Sequence, residues 1–263
     1  MTLRQRYADE AVSESIGFII IFGLVVTGIA LVSLYGYPML LKQQISSDER
    51  TMEQTMLILQ NDMKLLSYSN VPYKDTSLRV SGGGLNVFNT TDSQQSFTIR
   101  YWNETGGYTE TLVFRPGELR YTSSAGNAVI SLENGAILKR QQDATGSIMI
   151  AEPRWFYDAT TQTYVIFLLG IQADRPMALS GIGNIQMSRI IEPTVISWDY
   201  AVPRNVSVRY TADPQNDYSL AWENYFTGSG ILAGGLTPLG TEYDLANISK
   251  FVLKAYVIRI EHI

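Results

Sequence analysis

The sequence predicts an α+β protein that is mainly β: a long hydrophobic N-terminal helix with an amphipathic continuation, then an antiparallel β-sandwich-like domain. Three observations predict it. An uncharged apolar run, Ile16 to Tyr35, stands near the start. An apolar stripe at helical spacing follows it as far as Tyr68. From Val71 onward the pattern turns into short β-branched and aromatic segments separated by turn residues.

The apolar run reads IGFIIIFGLVVTGIALVSLY and holds no Asp, Glu, Lys or Arg. As a helix it would span about 30 Å, the thickness of a bilayer's hydrocarbon core. A secretory signal peptide would have a shorter core and a small-residue cleavage site. Here Tyr37-Pro38-Met39-Leu40 follows instead. Small residues Gly23, Thr27, Gly28 and Ala30 would let a second helix approach closely. Pro38 should kink or briefly interrupt the helix, which resumes over Leu41 to Tyr68. In that stretch Met52, Met56, Leu59, Met63 and Leu66 recur at spacings of four and three, with Glu, Gln, Asp and Lys between them. Such a stripe can pack on the chain's own β domain or on a neighbouring subunit's helix.

Three hairpins are expected beyond Val71. Leu112–Phe114 and Leu119–Tyr121 flank Arg115-Pro116-Gly117-Glu118. Val129–Leu132 and Ala136–Leu138 flank Asn134-Gly135, a pair suited to a type I′ turn. Trp155–Tyr157 and Thr163–Leu169 flank a polar loop beginning at Asp158. Phe97–Trp102, Val195–Tyr200, Val206–Tyr210 and Phe251–Ile260 read as further strands. The 16 Tyr and 9 Phe suit strands, and 45% hydrophobic against 17% charged residues suits a sizeable core.

Composition also excludes function classes. A net charge of −5, without any Lys/Arg-rich run, argues against nucleic acid as partner. The absence of Cys removes disulfides and thiolate metal sites. His262 is the single histidine, so a Ser-His-Asp triad or a histidine metal site has almost nothing to draw on. Gly228-Ser-Gly230-Ile-Leu-Ala233 has the form of a dinucleotide fingerprint but no preceding βαβ strand, and Ser180-Gly-Ile-Gly183 reads as a turn. Asp213-Pro-Gln-Asn216-Asp217 offers oxygens without EF-hand spacing and reads as a polar turn. Glu192 and Asp199 are the kind of acid pair that could serve glycoside hydrolysis. Trp102, Trp155, Trp198 and Trp222 could form a sugar-stacking face, although core packing is the commoner use. No catalytic, cofactor or metal residues are assigned, and neither a cofactor nor a small-molecule substrate is expected.

Four sequons all lie beyond the helix, at Asn89, Asn103, Asn205 and Asn247. Glycans there would place the β domain outside the cell. Arg4 and Arg6 before the span favour a cytoplasmic N-terminus.

The segment Asp9-Glu-Ala-Val-Ser-Glu-Ser-Ile-Gly17-Phe18, running directly into the apolar helix, resembles the N-terminus of archaeal type IV pilin-like surface proteins. The resemblance covers about the first 35 residues. It implies a prepilin peptidase cut between Ala11 and Val12, retention of the helix, membrane anchoring before assembly, and self-association through the N-terminal helices into a filament displaying β-rich domains. Family leaders carry Lys or Arg before the small residue, where this chain has Asp9 and Glu10, and Glu14 would stand third rather than fifth after the cut. The expected organisation is a cytoplasmic leader over 1–11, a transmembrane or filament-core helix over 12–37, an amphipathic stalk over 38–70 and an extracellular β-rich domain over 71–263. The expected function is a non-enzymatic pilin-like surface protein. The alternative is a monomeric membrane-tethered sandwich that binds glycan or envelope partners.

Overall fold

A computed structural model describes the backbone of residues 3–263 except 70, 127, 143 and 191, and the side chains from Ile16 onward with the same exceptions. The chain forms two compact units, residues 1–47 and 48–263.

The first unit is helical. Helix α1 (Leu3–Leu31) passes into a π-helical turn, Val32–Gly36, and then into α2 (Tyr37–Tyr68). The interruption expected at Pro38 therefore falls one turn earlier. Proline gives no N–H and its ring crowds the carbonyl four residues back. The widened turn accommodates this, with the Tyr37 amide donating to Val32 O, five residues back instead of four.

The second unit holds the rest of α2, thirteen strands among the described residues, and α3 (Ser219–Thr227). The strands are β1 (Tyr73–Phe88), β2 (Ser96–Asn103), β3 (Tyr108–Phe114), β4 (Glu118–Ser123), β5 (Ala128–Glu133), β6 (Ala136–Gln141) and β7 (Ser147–Ala151). They continue as β8 (Trp155–Asp158), β9 (Thr163–Ala173), β10 (Met177–Arg189), β11 (Thr194–Thr211), β12 (Thr237–Leu239) and β13 (Glu242–His262). All join one sheet, ordered β3-β2-β11-β13-β10-β1-β4-β5-β6-β7. The fold is thus mainly β, an apolar N-terminal helix followed by a largely antiparallel sheet domain.

Strand β13 organises the sheet. It pairs antiparallel with β11 through Tyr243–Ala255 and with β10 through Ile258–His262. Its other edge takes β9 in parallel, Lys250↔Thr163 to Ile260↔Ala173. This parallel ladder departs from the all-antiparallel expectation. Strand β11 joins two segments that read as separate strands, because the register shifts between Asp199 and Arg204 absorb Pro203, which has no ladder N–H to give.

Two of the three expected hairpins form. Asn134 and Gly135 both take positive φ, +48° and +74°, and connect β5 to β6. Strands β8 and β9 pair across the Asp158 loop. The Pro116-Gly117 segment is not a hairpin, since β3 pairs with β2 while β4 pairs with β1 and β5. It is a packed crossover. Pro116 O accepts from the Ile171 amide at 2.7 Å, and Gly117 has φ +65° with room for no side chain, a Cβ there falling 2.6 Å from Ile171 O.

Two cores result. Under α2, the stripe Met52, Met56, Leu59, Met63 and Leu66 is fully buried against Leu85, Leu119, Ile130, Ile185, Ile258 and other strand residues. The open choice for that stripe is thereby decided: it packs on the chain's own domain and has no surface left for a second copy's helix. Polar latches fix the helix in register. Gln60 donates to Gly135 O at 2.6 Å, Asp62 binds Lys74 at 3.0 Å and Thr76 at 2.6 Å, and Lys139 bridges Glu49 and Glu53. Residues 48–68, assigned to a separate stalk by pattern, therefore belong to the folded domain.

The second core is aromatic. Helix α3 drops Trp222, Tyr225 and Phe226 onto Phe97, Trp155 and Phe251. Trp222 meets Phe97 edge to face at 4.7 Å and Phe226 lies 5.8 Å from Trp155.

Candidate functional site

The apolar N-terminal helix is the first candidate. From Ile16 to Leu41 every described large apolar side chain is exposed, Leu34 by 70% and Phe18 by 69%. One helix, near the N-terminus, is long and apolar enough to cross a membrane. Within it the Thr27 hydroxyl is satisfied internally, donating to Gly23 O at 2.7 Å. A Cβ at Gly23 or Gly28 would meet no atom within 4 Å. At about 100° per residue, Gly23, Thr27 and Ala30 share one face, whereas Gly28 lies about 100° round from Thr27. The small residues thus form a stripe of three plus one on an adjoining face. The junction Ala11/Val12 lies outside the residues whose side chains are described.

The sequon asparagines differ in access. Asn247 is exposed, has φ +59° and stands at the register shift where β13 passes Arg204–Val206. Asn205, also exposed, lies on β11 at the same irregularity and donates to Asp244 at 2.9 Å. Asn103 starts the β2–β3 turn, accepting from the Gly106 amide at 2.9 Å and donating to Glu110 at 3.2 Å. Asn89 is half-buried, its side-chain oxygen accepting from the Ala173 amide at 2.5 Å.

The other singled-out residues separate. Trp155 and Trp222 are core residues and Trp102 and Trp198 pack partly buried against the same cluster, so the four make no sugar-stacking face. Asp199 pairs with Lys250 at 2.9 Å, while Glu192 is exposed on the β10–β11 connection. Asp213 accepts from Arg120 at 3.5 Å and from the Gln215 amide at 2.9 Å. Gly228–Ala233 leads out of α3 rather than opening a helix after a strand. His262 is exposed at the end of β13. Among the described residues no group of three His, Cys, Asp or Glu is placed to hold a metal.

Two polar constellations escaped the sequence reading. In the first, Glu118 and Glu133 stand directly opposite each other in the β4–β5 ladder, both buried. Glu118 is held by Arg120 and by the Ser131 hydroxyl. Glu133 accepts from the Trp222 indole at 3.1 Å. Burial, reinforced by the Glu118 charge, pushes the Glu133 carboxyl up to about 8, against the pull of the Trp222 hydrogen bond. The second is a recess of about 660 Å³ beside the last turns of α2, lined among others by Lys64, Tyr68 and Arg154. Neither leaves a linear motif, because its members are brought together by strand pairing or by helix-on-sheet packing.

No curated protein and no solved structure matches the chain. A family model matches residues 10–234, a stretch that includes the apolar helix, α2 and the sheet as far as the loop after α3. On that match over most of its length, the chain belongs to the family of unknown function DUF7289.

Proposed function

We propose that the chain is a non-enzymatic, pilin-like surface protein: its N-terminal helix anchors it in the membrane, and the same helices pack together when it polymerises into an extracellular filament. The observation that carries this is the pairing of a fully exposed apolar helix with a domain whose cores are complete without it. An exposed surface of that kind needs lipid or other helices around it, and a helix suits both because its backbone is already hydrogen-bonded. Arg4 and Arg6 favour an inside N-terminus, and all four sequons lie in the 48–263 unit. The Asp9–Phe18 segment supports prepilin peptidase processing between Ala11 and Val12.

Intact-mass and N-terminal peptide mass spectrometry of protein from its native membrane tests the processing step. The expected mature chain starts at Val12; an unprocessed start at Met1 or Thr2 would count against the pilin-like reading. Assembly is tested by shearing cells and pelleting released filaments. Gly23→Leu is expected to cut pelleted material at least about tenfold by wedging the small-residue face apart. Unchanged pelleting would leave the helix as an anchor only.

A second reading, a monomeric membrane-tethered binding domain, is favoured by the burial of the Met/Leu stripe within its own domain. It predicts that detergent alone releases monomers and that shear releases nothing.

Sequon access sets a further expectation. Glycopeptide mass spectrometry should find the exposed Asn247 and Asn205 occupied most and the half-buried Asn89 least. Predominant occupancy of Asn89 would contradict the placement described above.

A further inference from the structure

The recess beside the last turns of α2 is built from side chains that are oriented but unemployed. Arg154 lies with its guanidinium 4.6 Å over the Tyr68 ring and 5.0 Å over the Phe167 ring. Tyr68 is itself held edge-on by Phe167 at 5.0 Å and Tyr256 at 5.4 Å. The arginine is therefore fixed by stacking, while its N–H fork donates no hydrogen bond and joins no ion pair among the described residues. Lys64 lines the same recess, likewise without a carboxylate partner. Its pKa is drawn below the ordinary lysine value by burial and then by the Arg154 charge. Two cations face one cavity in a chain of net charge −5. Asp62 pairs with Lys74, and Glu152 lines a separate recess with Met149 and Tyr225.

We propose that this recess binds a carboxylated sugar of the uronic-acid type, with Arg154 and Lys64 on its carboxylate, Asn61 and Ser69 on its hydroxyls, and Tyr68 and Pro153 against its apolar ring face. The stacked guanidinium offers the planar two-point geometry that carboxylates accept. Asn61 and Ser69 add neutral donors and acceptors, and Tyr68 and Pro153 add apolar surface to the same wall. A cavity of about 660 Å³ lies in the range of small-ligand sites. A peptide gripped through its main chain fits less well. Pro153 has no amide to give, and the Ser69 amide is taken by Leu65 O at 3.0 Å. The site lies wholly in the 48–263 unit and does not depend on whether the N-terminal helices assemble.

Isothermal titration calorimetry on the full chain in detergent micelles tests this, with trigalacturonate as probe, its methyl ester as the uncharged match, and hexaglutamate and inorganic sulfate as charge controls. Trigalacturonate is expected to bind at least about tenfold tighter than the ester or hexaglutamate, and to weaken as salt rises. Arg154→Lys keeps the charge but loses the fork, and Lys64→Gln removes the second cation. Each should weaken binding about tenfold at unchanged thermal midpoint, while Arg115→Gln, an exposed arginine that does not line the recess, should not. No heat with trigalacturonate, equal binding of the ester, hexaglutamate or sulfate, or full affinity in both recess variants would each overturn the assignment.

Discussion

Leu59→Asp is expected to unfold the 48–263 domain at 25 °C, whereas Ile58→Asp, one position away, should change its stability by no more than about 0.5 kcal/mol. Leu59 is fully buried under the sheet, while Ile58 is 53% exposed on the outer side of the same helix. Truncating a buried leucine costs about 2–5 kcal/mol from lost transfer energy and the cavity left behind. A carboxylate at that position adds the cost of an unpaired charge among Met52, Met56, Met63, Ile130 and Ile258, none of which can solvate it. Together these approach the total stability of an ordinary domain, about 5–15 kcal/mol. Circular dichroism and urea titration of the detergent-solubilised chain would read both variants. A cooperative transition at the wild-type midpoint for Leu59→Asp would mean that α2 is a detachable stalk after all. A chain shortened to begin at Val71 would, on the same argument, leave the Leu85–Ile130–Ile258 face bare and aggregate.

That contrast shows where the sequence was legible. The Met/Leu stripe and the apolar run were readable because helix burial repeats every three to four residues within one segment. Asn134-Gly135 was readable because a type I′ turn demands positive φ at both positions, and both residues tolerate it. Pro116-Gly117 misled because such a pair fixes local backbone geometry and says nothing about which strands will pair afterwards. The parallel β9–β13 ladder joins segments nearly ninety positions apart, as in Lys250↔Thr163, beyond any local signal. Helix α3 was missed because Trp222, Tyr225 and Phe226 carry strand-like propensity, and only their common burial against Phe97 and Trp155 makes nine residues helical. The candidate sites divide in the same way. The apolar helix and the four sequons are linear features, but Lys64 and Arg154 lie ninety positions apart and meet only once α2 docks. Strand β5 is buried on both faces, so it reads as a plain apolar run that conceals Ser131 and Glu133.

Glu133 gives the second large effect, and its direction is set by proton linkage. Its carboxyl ionises near pH 4.5 under ordinary conditions but near about 8 in the fold, where burial comes first among the causes and the opposed Glu118 second. Tyr210 and Tyr218 also face this cluster, and Arg120 compensates Glu118 rather than Glu133. Below pH 4.5 folded and unfolded chains both carry the proton, so the group contributes no pH dependence. Between about pH 4.5 and 8 the folded chain keeps a proton that the unfolded chain has released, so stability falls as pH rises, on the order of 1 kcal/mol per pH unit. Above about pH 8 the loss is complete. Glu133→Gln keeps an oxygen for the Trp222 indole and removes the titration. The variant should therefore match the wild type at pH 4.5, unfold at a higher urea concentration than wild type at pH 8, and show a flatter profile between. Parallel urea midpoints for the two proteins across pH 4.5–8 would sink the linkage. Glu118→Gln supplies the internal contrast, because it removes the buried charge that Arg120 pairs with and should destabilise the fold at every pH in that range.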